Sequence, residues 1–70
     1  MFGLFGLSEK EKYRITSWAF SYFMTRHLTV SEAVAEAIKK VRPNKVARDG
    51  SVKLRRSAIL ELELRVKNML

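Results

Sequence analysis

Two short signatures divide this chain before any other feature is weighed. Ser8-Glu9-Lys10-Glu11 and Thr29-Val30-Ser31-Glu32 are both capping boxes. In each, the first hydroxyl can accept the amide three residues on, and the glutamate there reaches back to the first amide. Each box marks a helix start. Pro43 marks a stop, because it restricts Arg42 before it and cannot donate to a helical ladder. The spacing predicts one helix from Ser8 to about His27 and a second from Thr29 to about Val41. Arg26 and His27 suit the carbonyl end of the first helix dipole. His27 is the only histidine and has no Cys, Ser or carboxylate at a chemically meaningful spacing, so it is read as a helix-end residue.

The apolar residues of the first helix do not form one stripe. At 100° per residue, Ile15, Trp18, Ala19 and Tyr22 form one patch. Tyr13, Phe20, Met24 and Leu28 form another, with Phe23 between. A helix apolar over most of its girth must be covered on more than one side. The expectation is a homodimer with this helix at its centre. The second helix has a single stripe, Val30, Val34, Ala37, Ile38 and Val41, and Glu36 and Lys40 form the favourable i,i+4 pair.

The last segment fits two templates. Leu60, Leu62, Leu64 and Val66 alternate with Glu61, Glu63, Arg65 and Lys67, as in a strand. Ala58, Ile59, Leu62, Val66, Met69 and Leu70 also share one helical face, the composition favours helix, and Ser57 is a fair N-cap. Helix is preferred, which leaves Leu60 and Leu64 as a second stripe facing a partner. The expected fold is all-α: a small three-helix domain, homodimeric, with a basic loop or short hairpin between helices 2 and 3. The alternative is α+β, with residues 46–54 and 59–67 as a small sheet. Residues 1–7, MFGLFGL, read as an apolar N-terminal arm, and 8–70 as a single helical domain.

With seventy residues, the core is marginal unless something staples it. There is no cysteine and a single histidine, so no disulfide framework and no ordinary zinc ligand set can be drawn. Oligomerisation remains. The absence of cysteine fits a reducing compartment, and the expected location is cytoplasmic. No apolar run approaches the ~20 residues of a membrane span, and a membrane partner ranks last. No GxGxxG, no phosphate loop and no nucleophile–base constellation is present, so no catalytic residue, cofactor or metal is expected and the chain is read as a non-enzyme.

Charge carries the functional reading. The formal net charge is +7. Residues 39–56 hold Lys39, Lys40, Arg42, Lys45, Arg48, Lys53, Arg55 and Arg56 against a single acid, Asp49. The rest of the chain is balanced, so all of the excess lies between two apolar flanks. Such a segment suits polyanions. The leading expectation is a small basic nucleic-acid-binding module, DNA ahead of RNA, contacting phosphates through Arg42, Lys45, Arg48, Lys53, Arg55 and Arg56, with a regulatory role. The dimer or partner interface is assigned to Trp18, Phe20, Tyr22, Phe23, Leu60 and Leu64. The alternative is an adaptor or inhibitor of the phage or mobile-element type that binds a host protein.

Residues 20–44, FSYFMTRHLTVSEAVAEAIKKVRPN, resemble the helix–turn–helix–Arg-Pro passage in the C-terminal half of dual-specificity phosphatases. The resemblance covers about a third of the chain. The His-Cys-x5-Arg loop that precedes that passage is absent, and the chain has no Cys at all. Capped helical hairpins produce this pattern readily. It is read as convergence and implies no activity and no site residue.

Overall fold

The structure, a computed structural model, describes residues 7–70. The apolar arm, apart from Leu7, lies outside the described residues. Among the described residues three helices form: α1 (Glu9–Arg26), α2 (Val30–Val41) and α3 (Arg56–Met69), with a 3-10 turn (Pro43–Lys45) after α2. Both capping boxes are made. The Ser8 hydroxyl accepts the Glu11 amide at 3.2 Å while the Ser8 amide donates to Glu11 at 3.1 Å. Thr29 and Glu32 repeat the arrangement at 3.1 and 3.0 Å. α1 ends at His27, whose φ of 56° lies in the left-handed region. That conformation lets the chain reverse into α2 within three residues. For a non-glycine residue it carries a steric cost.

Residues 56–69 are continuous helix, so the alternative of a sheet over 46–54 and 59–67 does not hold. Helix-forming Leu, Glu, Arg and Lys prevail over the alternation: a strand would put Leu60, Leu62, Leu64 and Val66 on one face, whereas the helix buries Leu62 and Val66 and leaves Leu60 and Leu64 exposed. Among the described residues the one β feature is an isolated antiparallel bridge, Val46 to Val52. The start of α3 also differs from expectation. Its N-cap is Arg55, not Ser57, and no side chain caps it.

Ile15 and Ala19 from α1, Ala33, Val34, Ala37 and Ile38 from α2, Leu62 and Val66 from α3, and Leu7 make one buried cluster. Ala33 belongs to it although the stripe read from the sequence omitted it. Three of the fully buried residues of α1 and α2 are alanines, so these helices meet over small side chains and larger ones interlock around them. Thr16 is buried beside them, its hydroxyl satisfied by the Lys12 carbonyl at 2.6 Å. Val46, Val52 and Leu54 pack against the cluster from the connecting segment. The basic stretch is thereby anchored by its own valines.

Leu62→Ala removes a fully buried side chain and is expected to lower unfolding free energy by about 2–5 kcal/mol in urea titration. His27→Gly relieves the left-handed strain and is expected to raise it by about 1 kcal/mol.

Candidate functional site

Between α2 and α3 the chain makes a tight hairpin. The Ala47 amide donates to the Ser51 carbonyl at 2.8 Å and the Lys53 amide to the Lys45 carbonyl at 2.6 Å, bracketing the Val46–Val52 pair. Arg48, Asp49 and Gly50 form the loop. The Gly50 amide bonds the Ala47 carbonyl at 3.0 Å, and Gly50 itself sits at φ 92°. A three-residue loop closed by a left-handed glycine is a favoured hairpin connection. Asp49 braces it: its carboxylate accepts the Ser51 amide at 2.9 Å and the Ser51 hydroxyl at 2.7 Å. The hydrogen bond donated by the Ser51 amide is the main reason the Asp49 carboxyl is held below its ordinary value.

This hairpin puts Lys45 and Lys53 opposite each other across the ladder. Like charges in that position repel. Arg48 is exposed in the loop, and Arg55 and Arg56 open α3. Cations at a helix N-terminus face the positive end of the dipole, which disfavours them. Four of these five bases therefore face a like charge or the positive end of a dipole, and Asp49 offsets part of this for Lys53.

The ion pairs lie elsewhere. Lys12 and Arg65 form a closed ring with Glu9 and Glu61: Lys12–Glu9 3.3 Å, Lys12–Glu61 3.2 Å, Arg65–Glu9 3.0 Å and Arg65–Glu61 2.9 Å. The ring ties the first turn of α1 to the middle of α3. The hydrogen bond from Arg65 is the largest reason the Glu9 carboxyl lies below its ordinary value, and the one that Lys12 donates to Glu61 is the largest reason Lys12 is raised. Arg42 bonds Glu11. Of the six candidate phosphate ligands, it is the one whose charge is met within the chain. Glu11 is lowered first by the Ser8 amide and then by Arg42, so a single carboxylate completes the α1 cap and fixes the base of the hairpin. Glu36 pairs with Arg26 at 3.9 Å, not with Lys40 as the helical spacing predicts. Lys40 lies over the Trp18 ring instead, 5.1 Å from its centroid.

Among the described residues, Lys39, Lys40, Lys45, Arg48, Lys53, Arg55 and Arg56 make no ion pair with a carboxylate. No known family's sequence pattern, no curated protein and no solved structure matches the chain. The site must therefore be judged on its own geometry.

Two clefts flank α2. One, of about 240 Å³, lies between α2 and the hairpin and includes Glu36, Lys39, Pro43, Arg48 and Gly50. The other, of about 230 Å³, lies between α1 and α2 and is lined by Tyr22, Arg26, Glu36, Lys39 and Lys40. They share Glu36 and Lys39. Basic residues thus line both clefts, from the hairpin across α2 to α1, with Glu36 among them. The phosphate contacts expected from the sequence do not include Lys39 and Lys40, and the α1 aromatics are expected at an interface. The residues expected at that interface divide. Tyr22 and Phe23 pack against the core, Phe20 is half-buried, and Trp18, Leu60 and Leu64 are 37%, 51% and 58% exposed. Among the described residues no group of His, Cys, Asp and Glu could hold a metal ion, and no helix is long and apolar enough to cross a membrane.

Glu9 and Glu11 have folded-state values below their unfolded ones. Their contribution to stability is complete above the unfolded carboxylate range and is lost as pH falls through the lowered folded values. The thermal midpoint is expected to hold level above about pH 5 and to decline below it. Glu11→Gln should make that decline shallower in a pH series followed by circular dichroism.

Proposed function

We propose that this chain is a small nucleic-acid-binding module that grips phosphates with its basic hairpin. Lys45, Arg48, Lys53, Arg55 and Arg56 are the contact residues, and Lys39 and Lys40 extend the surface along α2. The observation that carries the reading is the partition of charge. The chain's carboxylates neutralise Lys12, Arg26, Arg42 and Arg65 and leave the hairpin and its surroundings cationic. An anion placed between Lys45 and Lys53 would turn a repulsive pair into a chelating one. Phosphate oxygens also suit the uncapped amides at the start of α3. Arg42 has a structural part in this scheme: it holds the hairpin base to α1 through Glu11.

We also propose a homodimer. Tyr13 and Met24 on α1 and Leu60 and Leu64 on α3 stay exposed, leaving apolar surface that one copy does not cover. Two-fold symmetry would present two hairpins to one nucleic acid. The exposed Leu60 and Leu64 also favour the second reading, an adaptor that docks on another protein through α3.

Charge reversal separates the two. Arg48→Glu with Lys53→Glu and Arg55→Glu is expected to weaken oligonucleotide binding at least a hundredfold in a low-salt mobility shift. Arg14→Glu with Lys67→Glu, bases outside the segment, should change it only a few-fold. Equal affinity for the wild type and the folded hairpin variant would overturn the proposal. If Leu60→Glu with Leu64→Glu abolishes a specific protein complex while hairpin reversal does not, the adaptor reading takes its place.

A further inference from the structure

Trp18 is the chain's only tryptophan, and the core does not enclose it. It stays 37% exposed on α1, beside the α1–α2 cleft. Tyr22 lies one turn on, its ring 5.7 Å from that of Trp18 and tilted by 34°. The two rings together offer an extended aromatic surface. Each has a cation over it: the Arg26 guanidinium 4.3 Å from the Tyr22 centroid and the Lys40 ammonium 5.1 Å from that of Trp18. The Glu36 carboxylate also faces this cleft, and Arg26 at 3.9 Å offsets its charge. Lys39 lines both this cleft and the one against the hairpin, so phosphate-binding cations and aromatic rings belong to one surface.

We infer that Trp18 stacks an unpaired base of the strand whose phosphates lie on the hairpin, so that the module prefers single-stranded nucleic acid. The inference rests on the phosphate-binding reading above and deepens it. A base offers a flat π-face that an exposed indole accepts whatever the sequence. A base in a duplex already has both faces covered by its neighbours and is not available. Lys40 exchanges the indole for the phosphate adjoining the stacked base, and Tyr22, held by the core and by Arg26, keeps the indole in place.

The single tryptophan makes the test direct. The seventy-residue chain is titrated at low salt with dT12, rU12 and a 12-base-pair DNA duplex, following both Trp18 fluorescence and the anisotropy of a labelled oligonucleotide. Quenching by the single strands, well beyond that by the duplex, is expected, and the dT12 and rU12 arms identify the preferred sugar. Trp18→Leu should weaken single-strand binding about tenfold and leave duplex binding unchanged. Trp18→Phe, which keeps an aromatic face, should retain most of the affinity. Should Trp18→Leu fail to fold, quenching of the wild type still decides the matter. Salt-sensitive binding with indole fluorescence unchanged by every oligonucleotide overturns the stacking inference and leaves the phosphate reading standing. No binding of any oligonucleotide overturns both.

Discussion

Seven carboxylates serve fourteen lysines and arginines, and nearly all seven are engaged in holding the fold together. Glu9 and Glu61 join α1 to α3 through Lys12 and Arg65. Glu11 caps α1 and holds Arg42, Glu32 caps α2, Glu36 meets Arg26, and Asp49 closes the hairpin loop. Glu63 alone has no such partner among the described residues. Surface ion pairs are individually weak. Their value here is positional, because each joins elements that a small core holds only marginally. Since the other acids are committed to helix ends and helix junctions, Asp49 is the one carboxylate in the hairpin, set against Lys45, Arg48 and Lys53. The excess must be met by solvent ions or by a ligand.

The hairpin is more than a solvated linker. Val46 and Val52 pair across it and pack with Leu54 on the core, and a left-handed glycine and an aspartate set its loop. The cations are therefore held in defined positions, with part of the ordering cost of binding already met by folding. Lys45 and Lys53 face each other only because the valine pair fixes the register. A floppy basic tail of the same composition would bind polyanions without that geometry.

Much of the framework was legible in the sequence because local chemistry dictates it. The two capping boxes and Pro43 set α1 and α2 almost to the residue, and the Val34–Ile38 stripe found its core. The basic segment announced itself by composition, and Asp49-Gly50 by turn chemistry. What stayed hidden depends on tertiary contact. Arg42 looks like any other base until α2 brings it to Glu11, 31 residues away. Glu36 and Lys40 satisfy the i,i+4 rule, yet each finds a better neighbour on α1. The alternation of residues 60–67 suits helix or strand, and only packing of Leu62 and Val66 with Ile15 and Ile38 decides it. The join between hairpin and α1 aromatics passes through Lys39, which spacing alone gave no reason to single out.

The salt dependence of oligonucleotide affinity tests this account most directly, because it counts the phosphates that the proposed binding would neutralise. Each phosphate contact contributes about −0.7 to −0.9 to the slope of log K against log salt. Five to seven unmatched cations correspond to a slope of about −3.5 to −6.3. An affinity that barely changes between 50 and 300 mM salt (roughly a twofold change or less) would show that these cations do not meet phosphates, and would contradict the assignment of the hairpin as the binding element.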